Sequence, residues 1–289
     1  AADTTNTNIL LTARSLSREV PTLAFAEDED SVDILELSGA DQAIPLKQHL
    51  GRHLAARVSV GVGQAHEVGR FKDLRIFEFL VHHTALVGKT LKDTRLRERT
   101  GISVIGIWRD GRLNPVDPDL VLTDSCVPVA IGRPEQVSKL NDIIGQHRDG
   151  DHQVLIIGGG KVGRSTATAL RERGVRVRMI DENENLRGSL EYECDRLIIG
   201  NAADRNTIEA AGISEVSAVA LTTNDDAVNI HLAVYCRRLR PELSIVSRIT
   251  RERNIDAIYR AGADYILSYS SLCREYVIAH LLDREPLLV

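Results

Sequence analysis

The most regular pattern of apolar residues lies in the second half of the chain. Residues 154–157 form an unbroken apolar run, which is typical of a parallel strand buried on both faces. Apolar positions in residues 164–173 recur at helical spacing, and Gly174 predicts the end of that helix. Residues 175–180 form a second apolar run. The pattern therefore predicts a strand, a helix and a second strand in succession.

The same alternation continues through the rest of the chain. Helices predicted at residues 184–191 and through Ala210 alternate with further strand-like runs. Those runs are residues 197–199, 218–221, 244–246 and 265–267. Alternating strands and helices predict an α/β fold, here a Rossmann-like, doubly wound parallel sheet of about six strands.

A glycine-rich turn joins the first of these strands to its helix. Gly158, Gly160 and Gly163 form G-x-G-x-x-G directly after the strand, and Asp181 ends the next strand. These glycines permit a tight turn, approach of backbone to a pyrophosphate and close helix packing, and the acid accepts a ribose hydroxyl. We therefore predict a nucleotide site, the alternative being the same scaffold with an empty site. Glu182 stands where a binder of a 2′-phosphate would carry arginine, which favours NAD over NADP.

The beginning of the chain repeats a later part of this domain. Asn8 matches Asn229, and residues 31–41 match residues 254–264 at a spacing that differs by two. Self-similarity on this scale predicts a duplicated unit. We expect the chain to begin inside the first copy, whose opening strand and phosphate loop would lie before Ala1.

Polar residues follow the strands of the second copy where ligands bind in such sheets. Asn201 and Thr223 each follow a strand, and the carboxyl ends of parallel strands meet at one edge. Arg248 ends the fifth strand and is a candidate partner for a phosphate, whereas the aligned residue of the first copy is Phe25. We therefore expect the two copies to bind differently.

A region with a different pattern of apolar and turn residues separates the copies. Strand-like runs at residues 76–81, 104–108 and 127–131, separated by turns such as Asp110-Gly111, predict a small α+β lobe. A short helix at residues 134–145 precedes a connector, residues 146–152, that has no apolar residue. The predicted domains are residues 1–70 (partial first copy), 71–134 (small lobe), 135–151 (linker) and 152–289 (second copy).

Composition narrows the class of protein. The 289 residues are 43% hydrophobic, which is enough for one or two cores, and the net charge of −5 argues against a nucleic-acid binder. The chain has no run of 18 apolar residues of the kind that spans a membrane. Four widely spaced cysteines without a C-x-x-C motif predict reduced thiols in a cytoplasmic protein.

Several segments together resemble a known family, the domains that regulate potassium conductance (RCK domains) in prokaryotic channels and Trk-type uptake systems. In the second copy the resemblance rests on residues 156–164, 180–181, 200–204, 222–229 and 261–264, which are similar to TrkA-N. In the small lobe it rests on residues 86–91, 104–111 and 120–132, which are similar to TrkA-C. The similarity is greater to channels with two such domains per subunit.

The resemblance implies a set of ligand contacts. The pyrophosphate would lie over Gly158, Gly160, Lys161 and Val162, ribose on Asp181, adenine beside Asn201 and Ala202, and a distal phosphate or second ribose near Thr222, Thr223 and Asn224. The family commonly has aspartate where this chain has Asn201, an amide that both donates and accepts. The nucleotide is therefore left open among NAD(H), ADP and ATP.

The resemblance also implies partners. It predicts a homo-oligomer in which paired lobes assemble into a tetrameric gating ring at the cytoplasmic face of the membrane, below a potassium pore in the same or a partner chain. Amphipathic helices at residues 46–58 and 275–282 are either intradomain helices or crossover helices exchanged between paired domains. A soluble regulatory subunit of a Trk or Ktr uptake system is the alternative function.

Two other classes of function were weighed. An NAD-dependent oxidoreductase needs a catalytic acid or base, yet the chain has no Tyr-x-x-x-Lys, and His82 and His83 would point to opposite faces of a strand. The acidic run at residues 27–30 is a candidate Ca²⁺ site, although such runs more often begin a solvated helix. Asp181, Glu182 and Glu184 form a weaker candidate.

Overall fold

The computed structural model describes residues 2–60, 65–81, 84–109, 112–123, 126–145 and 153–282. The predicted connector at residues 146–152, the pair His82 and His83, and the turn at Asp110-Gly111 lie outside the described residues. Among the helices that are described, none combines the length and the apolar character needed to cross a bilayer.

The first part of the chain is a parallel pair of strands with its helices. Its elements are α1 (Ala2–Leu16), β1 (Leu23–Ala26), α2 (Val32–Leu37), β2 (Gln42–Pro45) and α3 (Leu46–Val60). Leu10 of α1 and Leu35 of α2 are buried with Ala24 and Ala43 of the strands, so both helices cover the strand pair.

The middle part is an antiparallel sheet with helices at one end. Its elements are β3 (His66–Phe71), β4 (Leu74–Glu78), α4 (Leu91–Thr94), α5 (Leu96–Thr100), β5 (Ser103–Arg109), β6 (Arg112–Asn114), β7 (Val127–Gly132) and α6 (Pro134–Gly145). Within the described residues the strand order is β3-β4-β7-β5-β6. The apolar pattern did not predict β3 and β6, because they are edge strands and β3 loses its alternation at a bulge between Glu67 and Gly69.

The last part is the predicted parallel sheet. Its elements are β8 (Gln153–Ile157), α7 (Lys161–Arg171), β9 (Arg176–Asp181), α8 (Arg187–Leu190), β10 (Arg196–Ile199), α9 (Arg205–Ala210), β11 (Ala218–Leu221), α10 (Asp226–Leu239), β12 (Ser244–Ile249), α11 (Ile255–Arg260), β13 (Tyr265–Ser268) and α12 (Tyr269–Leu281). The described strands are ordered β10-β9-β8-β11-β12-β13. The order reverses between β8 and β11, which confirms the Rossmann-like, doubly wound fold.

Alternate residues of each strand contribute to cores on opposite faces of this sheet. Val154 and Ile156 pack toward α3, α7 and α12, whereas Leu155 and Ile157 pack toward α9, α10 and α11. Both faces are therefore covered by helices, and this explains why the strands appear in the sequence as unbroken apolar runs.

Repeated hydrogen bonds confirm the duplication. Arg14 donates to Gly39 O and pairs with Asp41, and its counterpart Arg237 donates to Gly262 O and pairs with Asp264. Both glycines have a positive φ, +110° and +104°, and each packs against its arginine. The counterparts are 223 positions apart (237 − 14 for the arginines). The glycines and the aspartates are separated by the same offset, so the two units share one arrangement of hydrogen bonds.

The predicted register of the first match was wrong by two residues. Asn6, rather than Asn8, is the counterpart of Asn229, because Asn6 Nδ2 donates to Phe25 O (3.0 Å) as Asn229 Nδ2 donates to Arg248 O (3.3 Å). The repetitive Thr-Asn-Thr-Asn sequence at residues 5–8 offers two asparagines, and only the tertiary contact distinguishes them.

Helix α3 belongs to the first copy in sequence but packs against the second. It contacts α7 and the strands β11, β12 and β13. Ser165 Oγ donates to Gln48 O (2.8 Å), and a Cβ atom on Gly51 would lie 2.7 Å from Val162 O. Helix α3 therefore crosses from the first copy to the second within this chain, and its exchange between paired domains remains a prediction.

A buried ion pair holds α3 against the middle sheet. Arg57 and Glu78 are 5% and 4% exposed and form a salt bridge. Trp108 Nε1 donates to Glu78 Oε1 (2.8 Å), Tyr265 Oη donates to Glu78 Oε2 (3.4 Å), and the Arg57 guanidinium lies 4.0 Å from the centroid of the Tyr265 ring. This cluster joins the crossover helix, the middle sheet and β13 of the second copy.

Candidate functional site

The glycine turn has the geometry of a phosphate loop. Gly158 has φ +110°, and its N–H donates to Ile180 O (2.9 Å). A Cβ atom on Gly163 would lie 1.9 Å from Gly158 O, so only glycine lets α7 pack this closely on the turn. In contrast, a Cβ atom on Gly160 would meet nothing within 4 Å. The turn is closed on its inner side and open at Gly160, where α7 begins.

Asp181, the predicted ribose acceptor, lies beside this turn. Its Oδ2 accepts from Gly159 N (2.6 Å) and its Oδ1 from Asn183 N (2.8 Å), so the half-buried carboxylate is held against the loop. Each oxygen retains a free lone pair. Glu182 follows on the exposed side. The carboxylate is therefore fixed where a ribose hydroxyl could donate to it.

The next strand end carries the two residues predicted near adenine. Asn201 is exposed after β10, and its Oδ1 accepts from Ala203 N (2.9 Å). Ala202 is buried in the core with Ile180 and Ile208 and supports the rim from below.

Two threonines follow β11, and the first of them contacts the glycine loop. Thr222 Oγ1 donates to Gly158 O (2.7 Å) and to Ile157 O (3.0 Å), so this buried hydroxyl braces the glycine turn. Thr223 Oγ1 contacts Asn229 Oδ1 (2.7 Å), and Asn224 is exposed at the rim. The predicted residues are thus brought together at one edge, with Thr222 beneath that edge rather than on it.

Sequence reasoning did not single out Asn229 and Asp226 as site residues, although they organise the same rim. Asn229 Nδ2 also donates to Thr223 O (3.0 Å), so it ties the ends of β11 and β12 together. Burial opposes ionisation of Asp226, but hydrogen bonds from Thr250 N, Asn254 Nδ2 and Arg251 N outweigh it and lower the pKa of this carboxyl. The repeat between the copies was the signal that could have identified both residues, because Asp3 and Asn6 occupy the equivalent positions in the first copy.

The side chain of Lys161 contacts the first copy. Its Nζ lies 2.6 Å from Asp28 Oδ1 and 3.3 Å from Glu27 O, both in the first copy. These residues line a cavity of 410 Å³ between the copies, together with Arg164 and Lys47. This cavity lies beside the predicted nucleotide site, and Lys161 is the predicted site residue that lines it.

The acidic run at residues 27–30 is occupied by cationic and amide partners. Glu27 pairs with Lys47, Asp28 with Lys161, and Glu29 accepts from Gln48. Among the described residues no group of three or more His, Cys, Asp or Glu side chains is arranged to hold a metal. The Ca²⁺ candidate, like that at Asp181 and Glu184, gains no support from this arrangement.

The cysteines are thiols in apolar surroundings. Cys126, Cys194, Cys236 and Cys273 are all free. Burial raises the pKa of Cys194 to about 11 and that of Cys236 to about 12. Cys194 and Cys236 are therefore structural thiols, because a reactive cysteine requires a lowered pKa and access to solvent.

Known proteins share both domains of this chain. Residues 154–269 match the TrkA-N domain, and residues 76–145 match the TrkA-C domain. The GsuK channel bound to NAD is 34% identical, with a TM-score of 0.72 over 98% of this chain and 50% of the channel chain.

Two curated relatives extend the comparison. "Potassium channel protein 1" of Methanocaldococcus jannaschii is 29% identical over 48% of this chain and 43% of its own length. The "Trk system potassium uptake protein TrkA homolog" of Methanothermobacter thermautotrophicus is 31% identical over 40% of this chain and 53% of its own length. This chain therefore spans about half the length of these relatives. The chain therefore carries a region that matches the TrkA-C domain followed by a region that matches the TrkA-N domain, and it is similar to proteins of potassium channels and Trk uptake systems.

Proposed function

We propose that this chain is the nucleotide-sensing regulatory part of a potassium channel. NAD(H), ADP or ATP binds at the rim of the second copy, over Gly158, Gly160 and the first turn of α7, with ribose on Asp181 and adenine beside Asn201. The observation that carries the proposal is the contrast at the loop: Gly163 has no room for a side chain, while Gly160 is open. The similarity to a channel solved with NAD supports it.

Binding at the loop reaches the first copy through contacts at the start of α7. Val162 O lies against Gly51, Ser165 binds Gln48 O, and Lys161 pairs with Asp28. A ligand that shifts this turn therefore acts on α3, which Arg57 anchors to the middle sheet. Regulation requires different affinities for the open and closed states of the channel, because equal affinity shifts no equilibrium.

The proposed assembly follows from the family. The chain would form a homo-oligomeric gating ring at the cytoplasmic face of the membrane, coupled to a pore in the same or a partner chain. The relative named as a Trk uptake protein favours one alternative, a separate regulatory subunit. Potassium flux through the full-length protein in vesicles separates the two: a channel conducts alone, whereas a subunit needs a second protein.

Calorimetry with NAD⁺, NADH, ADP and ATP tests ligand binding. Gly160→Ala places a methyl group in the open space and should weaken the best ligand about tenfold or more without lowering Tm. Gly188→Ala is the matched control, because a Cβ atom there also meets nothing within 4 Å, and it should bind normally. Asp181→Ala should also weaken binding. Four nucleotides that bind the wild type and Gly160→Ala equally would refute the proposed site.

The domain is proposed to be regulatory rather than catalytic. Steady oxidation of NADH by the purified protein with a panel of carbonyl substrates would overturn this part of the proposal. A bound nucleotide that is recovered unchanged after prolonged incubation would support it.

A further inference from the structure

Arg248 is a buried cation whose hydrogen-bonding capacity is largely unused. The residue is 8% exposed, and its Nε has no hydrogen-bond partner in the described part of the chain. Nη2 makes one long contact, 3.3 Å, to Thr250 Oγ1. Burial lowers the pKa of Arg248, and the charge of Asp226 opposes that shift. A buried donor without a hydrogen-bond partner carries a desolvation cost. An anion that reaches this guanidinium group would therefore stabilise it by accepting the unused hydrogen bonds.

The side chain lies on the face of the sheet that carries the phosphate loop. Arg248 follows Val246 by two positions, and Val246 belongs to the core beneath α3 and α7. Thr250, which Nη2 contacts, lies beyond the end of β12, so the guanidinium is directed toward the rim. Strand β11 alone separates β12 from β8, which places the two strand ends about 10 Å apart. That is a suitable span for a group bound across the α7 N-terminus.

The first copy shows that the fold does not need a cation at this position. Phe25 is the counterpart of Arg248, and the same asparagine-to-carbonyl hydrogen bond fixes its backbone. Phe25 packs against the core of the second copy without any polar contact from its side chain. The arginine therefore has a role that the strand end itself does not require.

The lysine of the glycine loop is bound by residues of the first copy. Lys161 Nζ is held by Asp28 and by Glu27 O, on the side of the loop toward the first copy. A nucleotide phosphate over Gly160 would compete with Asp28 for this ammonium group. Arg248 faces no such competition at Nε.

We propose that Arg248, rather than Lys161, supplies the positive charge that binds the distal phosphate of the nucleotide. This inference rests on the proposed function and sharpens it: the site selects ligands with at least two phosphate groups, such as ADP or a dinucleotide, over AMP and adenosine. The Lys161 side chain is a bridge between the two copies, and the loop binds phosphate mainly through its backbone N–H groups.

Calorimetry with adenosine, AMP and ADP tests this assignment on three variants. Arg248→Met should weaken ADP about 10- to 100-fold, the effect of losing a charge-assisted hydrogen bond, and leave adenosine unchanged. Lys161→Met should weaken ADP less than Arg248→Met does. Arg253→Met is the matched control, because it removes an exposed arginine from the same rim and should leave all three ligands unchanged.

A second readout separates a ligand contact from a structural role. Removing an unpaired buried charge should leave the Tm of ligand-free Arg248→Met equal to or above that of the wild type, whereas a structural arginine would lower it. If Arg248→Met does not fold, Arg248→Lys keeps the charge and should retain a preference for ADP over adenosine that is smaller than in the wild type.

The outcomes also distinguish this inference from the function on which it rests. Failure of the wild type to bind both adenosine and ADP would overturn the proposed function and this inference with it. Equal ADP affinity in the wild type and Arg248→Met, with adenosine bound normally by both, would overturn the assignment of Arg248 alone.

Discussion

The two copies of the duplicated unit retain the same internal hydrogen bonds but differ in the chemistry of the rim. Both keep the arginine bound to a glycine carbonyl and an aspartate, and both keep the asparagine that fixes the fifth strand. At the rim, Glu27-Asp28-Glu29-Asp30 of the first copy corresponds to Thr250-Arg251-Glu252-Arg253 of the second. The acidic run of the first copy is not retained in the second, and Phe25 corresponds to Arg248.

This contrast separates the residues that hold the fold together from those that we propose to bind a ligand. Hydrogen bonds that close turns and cap strands are repeated because the backbone geometry requires them. Charges at the rim are free to diverge, because they face solvent, a ligand or the other copy. The second copy carries the buried cation Arg248 at its rim, while the acidic rim of the first copy binds Lys47 and Lys161.

Helices α3 and α12 occupy equivalent places in the two copies but differ in how they are anchored. This difference gives the largest expected change in the free energy of unfolding. Arg57 of α3 pairs with Glu78, whereas its counterpart in α12, His280, has an Nε2 that is buried without a partner among the described residues. Glu78→Ala should lower the free energy of unfolding by about 3–5 kcal/mol, because it leaves a buried arginine unpaired. Urea unfolding measures the loss.

The double variant Arg57→Met with Glu78→Leu is the control for this prediction. It removes both charges and should recover most of the stability. His280→Ala should cost about 1 kcal/mol or less, since no hydrogen bond from the described residues is lost. A loss below about 1 kcal/mol for Glu78→Ala would show that the ion pair does not anchor α3.

The second prediction concerns pH. Burial, with the nearby charges of His49 and Arg57, lowers the pKa of His53 to about 4, and the counterpart of His53 in α12 is Tyr276. Between pH 6.5 and 4 the unfolded chain therefore binds a proton at this residue that the folded chain does not, so stability falls as pH falls. The contribution of this one residue over that range is about 2–3 kcal/mol.

His53→Tyr makes the two helices alike at this position and should remove that part of the acid sensitivity. The measurement is the difference in free energy of unfolding between wild type and variant at pH 4.5 and at pH 7. Equal pH dependence in both proteins would mean that His53 titrates normally in the folded chain.

The third prediction compares the shared aspartates. The Asp264 side chain is 17% exposed and accepts from Arg237 and Ile245 N, while Asp41 makes the equivalent contacts at 48% exposure. Asp264→Asn should cost about 2 kcal/mol and Asp41→Asn about 1 kcal/mol or less, because solvent weakens the exposed pair. Thermal unfolding of the two variants checks the order, and a larger loss at Asp41 would contradict it.

Much of the second copy could be predicted from the sequence. Its strands are buried on both faces, so each appears as an apolar run, and the G-x-G-x-x-G turn with Asp181 locates the loop. Pro134–Gly145 was likewise predicted from its helical pattern. Edge strands β3 and β6 were missed, because they bury little and do not alternate clearly.

The contacts between separate parts of the chain could not be predicted. Lys161 and Glu27 are 134 positions apart, and Tyr265 and Glu78 are 187 apart, so no local pattern connects them. Similarly, the sequence placed Thr222 near a ligand, whereas its hydroxyl is used to brace Gly158. Side-chain direction at the rim depends on tertiary packing rather than on spacing.

The central claim is that the second copy provides a nucleotide site and that the residues of the first copy described here do not. Equilibrium titration of this chain with ADP and with NAD⁺ tests it most directly. The account predicts one nucleotide bound per chain and loss of that binding in Gly163→Val, whose side chain would displace the turn at Gly158. Two nucleotides per chain, or one that Gly163→Val still binds with wild-type affinity, would contradict it.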